Sequence, residues 1–256
     1  MLSRRSLFGL GLSRVAERVE EQFDQQAREP APPKGPSSSA PRPRARPRVP
    51  PPRPSWPHRR GAELWEPATQ ALPRPEGALV LEADELDYDL ARLPFEDGEF
   101  DVVVSSFAPM FSSDGRAAIA ELFRIVRPGG TVAFCTWTPP GIVGRLLALA
   151  AENDPRPPTG VPAPLDWCSA EYLRHELEHH SDDVELRPQE LTMPFASVED
   201  AVDRLFAAFR PLAWAPDQSE LRRQAAEIVT ELAGEDAGAV APRATYVMAV
   251  ARRRSA

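Results

Sequence analysis

Apolar residues form short runs and helical repeats from residue 61 onward. The runs Ala78–Ala83, Asp101–Phe107 and Thr131–Trp137 are short and largely apolar, which predicts buried strands. The second run is rich in valine, as is typical of a parallel strand covered on both faces. Between Arg116 and Val126 the apolar residues recur at helical spacing and predict a helix. The segment Arg127–Gly130, with one proline and two glycines, predicts a turn between this helix and the third strand.

The second half of the chain continues the alternation of strands and helices. The same pattern predicts helices at Gly144–Glu152, Ala170–His180, Val198–Phe209 and Glu220–Leu232, and strands at Val184–Phe195, broken at Pro188 and Pro194, and at Ala244–Ala251. Strands that alternate with helices favour an α/β fold with a parallel-type sheet and helices on both faces.

Composition divides the chain into three parts. Residues 1–28 predict an amphipathic segment, and Arg4 and Arg5 before a short apolar stretch give it a weak resemblance to a twin-arginine export signal. Residues 29–60 are rich in proline and arginine, and we expect a disordered linker because proline prevents helix and central strand. Residues 61–256 predict one folded domain.

Charge follows the same division. The balance of Lys and Arg over Asp and Glu is +8 up to Arg60 and −16 from Gly61 onward, which together give the net charge of −8. Nucleic-acid binding needs clustered positive charge, so we expect no nucleic acid partner for the acidic body. The sequence has no apolar run of the length that a membrane span requires. We expect a cytoplasmic location, with export left open by the paired arginines.

The most informative stretch is DLARLPFEDGEFDVVVSSF at residues 89–107. It is followed by AIAELFRIVRPGG at residues 118–130 and by TVAFCTWT at residues 131–138. In this order and spacing, the three segments resemble the second half of class I S-adenosylmethionine-dependent methyltransferases of the ubiquinone/menaquinone-biosynthesis type. The resemblance implies a Rossmann-like methyltransferase sheet, S-adenosylmethionine as cofactor and a small-molecule substrate.

The resemblance also assigns candidate site residues, although it names no catalytic residue. The acid that matches Asp89 accepts a hydrogen bond from the adenine amino group in the family, and the loop after the central strand lies beside cofactor and substrate. The cofactor-binding candidates are Glu82, Asp89, Leu90, Ser105, Ser106 and Phe107, and the substrate-binding candidates are Met110, Phe111 and Trp137. Glu82 matches either the acid that ends the first strand or the ribose-binding acid after the second strand.

The chain departs from the family before Asp89. The family has a glycine-rich loop after its first strand, whereas the stretch after Glu82 contains no glycine. From Ala78 to Asp89 there are only twelve positions, which is too short for two βα units. We therefore expect a sheet truncated by one or two βα units. Its exposed edge strand would then be covered by residues 61–76, by the N-terminal tail or by a partner chain.

Two other interpretations compete with an active methyltransferase. The missing loop also fits a catalytically inactive, methyltransferase-like protein that serves as a binding or assembly module. Separately, His175 and His179 frame an HExxH pattern, which on a helix can bind zinc. That helix is polar and no third ligand pattern lies nearby, so we predict a solvated helix face and no metal site.

Overall fold

The computed structural model describes residues 62–83, 89–112, 114–153, 166–209, 212, 218–233 and 239–255. The predictions for the amphipathic segment, the proline- and arginine-rich linker and the twin-arginine resemblance fall outside these residues. None of the described helices is long and apolar enough to cross a membrane.

Five strands and six helices make up the regular structure of the described residues. The strands are β1 (Val80–Glu82), β2 (Phe100–Ser105), β3 (Val126–Trp137), β4 (Asp183–Thr192) and β5 (Arg243–Arg252). The helices are α1 (Glu66–Gln70), α2 (Gly115–Ile125), α3 (Ile142–Asn153), α4 (Ala170–Glu178), α5 (Val198–Ala208) and α6 (Gln218–Ala233). Short 3₁₀ helices lie at Ala62–Leu64, Ala108–Phe111 and Asp166–Cys168.

The five strands form one sheet in the order β1-β2-β3-β5-β4. This confirms the predicted α/β fold class. The first three strands are parallel, but β5 pairs antiparallel with both β3 and β4. The expectation of a parallel-type sheet is therefore wrong for β5, whereas β4, antiparallel to β5, runs in the same direction as β1, β2 and β3. Alternation of strands and helices predicts the layers but not the direction of each strand, because direction depends on which neighbour the strand reaches after the connection.

The predicted turn at Arg127–Gly130 is instead the first part of β3. Helix α2 ends at Ile125, and Val126 is already extended and paired with Phe100. The pairing register then shifts before Thr131, and Gly129 has a φ of +72°, which glycine adopts without strain. The glycines therefore make an irregularity within a strand rather than a reversal before it.

The predicted break at Pro188 is also absent. Strand β4 runs through Pro188, which pairs with Val247 of β5. Because β4 is the last strand of the sheet, one of its edges needs no amide donor, and proline is tolerated there. Pro194 lies beyond the end of β4.

Strand β1 is the opposite end of the sheet, and no described strand pairs with its outer side. It lies directly beside β2 and parallel to it, which is the place of the first strand in a doubly wound sheet. This position favours the first of the two matches considered for Glu82. Residues just before β1 pack against this end of the sheet, and Arg74 forms an ion pair with Glu82 at 2.8 Å.

Candidate active site

Aromatic rings lie together beyond the carboxyl ends of β2 and β3. Phe107 is the second residue after β2. Its ring stacks on Trp137, the last residue of β3, with centroids 3.7 Å apart and an angle of 5°. Tyr246 of β5 meets both rings edge to face, at 5.8 and 6.1 Å. Parallel neighbours end at the same edge of a sheet, which is why residues 30 positions apart in sequence meet here.

Two rings from outside the sheet complete this group. Trp65, just before α1, lies 6.2 Å from Phe107 and 6.3 Å from Trp137. Phe209, at the end of α5, lies 5.6 Å from Trp65 and 6.3 Å from Trp137. We call Trp65, Phe107, Trp137, Phe209 and Tyr246 the aromatic cluster.

The predicted serines lie at the carboxyl end of β2. Ser105 and Ser106 are both buried. The hydroxyl of Ser106 shares a hydrogen bond of 2.7 Å with the hydroxyl of Thr69, and its carbonyl accepts from the amide of Cys135. The Ser106 hydroxyl is therefore held against α1 at the carboxyl end of β2.

The predicted acids lie nearer the surface. Glu82 ends β1 with about a third of its side chain exposed, and its Oε1 accepts from Arg74. Asp89 is exposed, and its Oδ1 accepts from the amide of Ala91 at 3.0 Å. Leu90, next to it, is buried. Asp89 therefore offers an exposed carboxylate next in sequence to a buried apolar side chain.

The predicted substrate residues occupy the 3₁₀ helix after Phe107 and the end of β3. Met110 is buried, and Phe111 is partly exposed and touches Phe209, with ring centroids 6.0 Å apart. The rings of Phe111 and Trp137 therefore both contact the ring of Phe209, at the end of α5.

Several residues of this site could not be found from the sequence pattern. Trp65 and Thr69 precede the family-like stretch, in a segment without strand or helix periodicity. Phe209 and Tyr246 lie more than 70 residues beyond it. In the sequence they could be noticed only as aromatic residues within a predicted helix and a predicted strand. The packing of α5 and β5 brings them to this edge of the sheet.

Burial raises the pKa of one member of the aromatic cluster, Tyr246, and keeps the indole N–H of another, Trp137, away from solvent. It raises the pKa of Tyr246 to about 12, with the neighbouring Cys135 as a smaller cause, so the phenol keeps its proton at neutral pH. Trp137 is fully buried, and its Nε1 has no hydrogen-bond partner among the described residues; the same holds for Oγ1 of Thr136. An unpaired buried N–H costs about 1–3 kcal/mol, so such a group is available to a ligand.

The HExxH pattern lies on α4 with both imidazoles exposed. His175 and His179 meet edge to face at 4.8 Å, while Glu176 pairs with Arg116 at 2.9 Å. Within the described part of the chain, no group of three or more His, Cys, Asp or Glu side chains is placed to hold a metal ion. The pattern therefore contributes an ion pair between α4 and α2.

Comparison with known proteins finds a family model that matches part of the chain. Residues 63–134 match the family model of a methyltransferase domain. The match covers less than a third of the chain. The match confirms the resemblance seen in residues 89–138, and it supports S-adenosylmethionine as the cofactor.

Similar proteins share only part of their length with this chain. The uncharacterized protein Rv1403c of Mycobacterium tuberculosis is 36% identical over 116 residues, which are 45% of this chain and 42% of that protein. The demethylmenaquinone methyltransferase of Parafrankia sp. is 46% identical over 52 residues, or 20% of each. The chain thus covers less than half of either relative.

Solved structures show a distant likeness. A Bacillus halodurans protein assigned as a methyltransferase is 13% identical, with a TM-score of 0.44, and covers 76% of this chain and 99% of its own. A similarity this low does not bear on substrate or activity.

Proposed function

We propose that this protein transfers a methyl group from S-adenosylmethionine to a small-molecule acceptor. The observation that carries the proposal is the methyltransferase-domain match over residues 63–134, which includes every proposed cofactor contact. When bound, S-adenosylmethionine supplies a methyl group on a positively charged sulfur, which departs as a neutral thioether when the acceptor's lone pair takes the methyl.

The chemistry of the candidate residues fits this cofactor. Carboxylates accept hydrogen bonds from hydroxyl and amino groups, so Glu82, at the end of β1, would hold a polar group of the cofactor, and Asp89 would hold the adenine amino group. Oε1 of Glu82 is taken by Arg74, while Oε2 has no recorded hydrogen bond within the described residues. Leu90 supplies an apolar contact for the adenine, and Ser105, Ser106 and Phe107 close the cofactor site at the end of β2.

The residues of the chain contribute position and exclusion of water rather than acid–base chemistry. Holding donor and acceptor in line accounts for a large part of the rate in such a transfer. The aromatic cluster next to Ser105 and Ser106 is buried and apolar, which removes water from the place where the acceptor would approach. The proton that the acceptor loses can pass to solvent.

Calorimetric titration of the full chain with S-adenosylmethionine tests the proposal. We expect saturable binding, weakened about tenfold in Asp89→Asn because a hydrogen bond to a charged group contributes roughly 1.5 kcal/mol. Glu190→Gln, an exposed acid on β4, is the matched control and should bind as the wild type does. Absence of saturable binding at millimolar cofactor would overturn the proposal.

A further inference from the structure

Trp65 is surrounded by the other members of the aromatic cluster. Its ring lies 5.6–6.3 Å from the rings of Phe107, Trp137 and Phe209. Those three side chains are each at most 3% exposed, whereas Trp65 is partly exposed. An indole that reaches solvent therefore fills a space whose walls are buried rings.

The backbone around Phe107 and Trp137 is fixed by strand pairing, whereas the backbone around Trp65 is not. Phe107 and Trp137 are fixed by adjacent strands that also pair with β1 and β5. Trp65 lies between a 3₁₀ helix of three residues and helix α1 of five residues, and it caps α1 without a side-chain hydrogen bond. Displacing Trp65 would leave the rings of Phe107 and Trp137 in place, because Trp65 takes no part in the pairing of β2 and β3.

One wall also carries an unused hydrogen-bond donor. Nε1 of Trp137 is buried without a partner among the described residues. The Trp65 ring, whose centroid lies 6.3 Å from that of Trp137, offers carbon and an N–H donor, and an indole N–H cannot accept a hydrogen bond. A ligand of similar shape that carries an acceptor atom would form a hydrogen bond with Nε1 of Trp137, a bond that Trp65 cannot form.

We infer that Trp65 occupies a binding site for a planar aromatic ligand of about indole size that bears a hydrogen-bond acceptor. The ligand displaces Trp65, stacks against Phe107, Trp137 and Phe209, and accepts from Nε1 of Trp137. The identification of this ligand as the methyl acceptor rests on the proposed function. The existence of the ring site does not.

Quinoline and naphthalene form a matched pair of probes, since they have the same shape and only quinoline has an acceptor nitrogen. Binding to the full chain is measured by calorimetry. We expect Trp65→Ala to bind quinoline at least tenfold more tightly than the wild type, because the indole no longer competes. Adding Trp137→Phe should weaken quinoline roughly fivefold, the loss of one hydrogen bond, and leave naphthalene within about twofold.

A separate readout is the NMR spectrum of the wild-type protein labelled with 5-fluorotryptophan. The resonance of Trp65 is assigned as the one that is missing in Trp65→Phe. Saturating quinoline should move this resonance toward the position of an exposed indole, and this readout decides the case where Trp65→Ala does not fold. Trp167→Ala controls for cavities in general. It opens space at a buried tryptophan whose ring, among the described residues, contacts Tyr172 and no ring of the aromatic cluster. This variant should bind quinoline and naphthalene equally.

Equal affinity of Trp65→Ala for the two probes would overturn the inference, as would bound quinoline that leaves the Trp65 resonance unchanged. Titration with S-adenosylmethionine separates this result from the proposed function. Quinoline binding without cofactor binding would keep the ring site and remove the methyltransferase activity, and the reverse would keep the activity and remove the ring site.

Discussion

The two ends of the parallel strands are built in different ways. At the amino end, Asp101 accepts from the amide of Leu79 and from Arg127, so one carboxylate joins β1, β2 and β3. Arg253 donates to the carbonyls of Arg124 and Val126, where α2 ends. At the carboxyl end the contacts are mainly between rings, and the polar atoms of Thr136 and Trp137 are buried without partners among the described residues.

This difference separates stability from binding. Satisfied charge pairs and helix-end carbonyls hold a fold in one arrangement. Buried polar groups without partners lower stability unless a ligand completes them. We therefore expect substitutions at the amino end to change the free energy of unfolding and substitutions at the carboxyl end to change ligand affinity.

The largest effect is expected for Gly130→Ala at the amino end. A Cβ there would lie 2.7 Å from the carbonyl of Asp101 and 2.8 Å from Val126. Since backbone must move to relieve this overlap, the free energy of unfolding should fall by about 3 kcal/mol, measured by urea denaturation. Gly77→Ala is the control: it meets open space but has a φ of +77°, and should cost only about 1 kcal/mol.

Next in size is Arg253→Ala. It removes the guanidinium that binds two carbonyls at the end of α2 and should lower the free energy of unfolding by about 2 kcal/mol. The adjacent Arg252 is exposed, so Arg252→Ala should stay within about 0.5 kcal/mol of the wild type. Equal losses in the two variants would show that the bonds of Arg253 contribute nothing specific.

A smaller, pH-dependent effect is expected for Glu121→Gln. Hydrogen bonding from Arg124 holds the pKa of Glu121 below its ordinary value of 4.5. The carboxylate therefore stabilises the fold above that pH, and the contribution is lost as pH falls through the folded-state pKa. The variant should be about 1 kcal/mol less stable than the wild type at pH 7, with the gap closing below about pH 4.5, whereas exposed Glu152→Gln should show no gap.

The smallest stability effect is expected at the carboxyl end. A double-mutant cycle of Thr69→Val and Ser106→Ala should give a coupling of about 0.5–1 kcal/mol, since the two hydroxyls share one hydrogen bond. Both variants should change the affinity for S-adenosylmethionine, whereas Arg253→Ala should leave it unchanged. If Arg253→Ala lowered the affinity for S-adenosylmethionine as much as Ser106→Ala did, the assignment of stability to one end and binding to the other would be wrong.

The sequence predicted the local structure well where the apolar pattern was clear. Helix α2 and strands β2 and β5 lie within a residue or two of their predicted limits. It failed at Pro188 and at Gly129, because a proline on an edge strand and a glycine within an irregular strand look the same in sequence as a break and a turn. For the candidate site, the sequence supplied Phe107, Phe111 and Trp137 from one continuous stretch.

What the sequence by itself determined is the methyltransferase resemblance of residues 89–138, the order of most strands and helices, and the absence of a glycine loop after β1. These follow from neighbouring residues and their spacing. Only the tertiary structure decided the direction of β5, the place of β1 beside β2 and the membership of the aromatic cluster. Trp65, Phe209 and Tyr246 join Phe107 and Trp137 because α5 and β5 pack at one end of the sheet, and contacts between residues so distant in sequence depend on that packing rather than on local pattern.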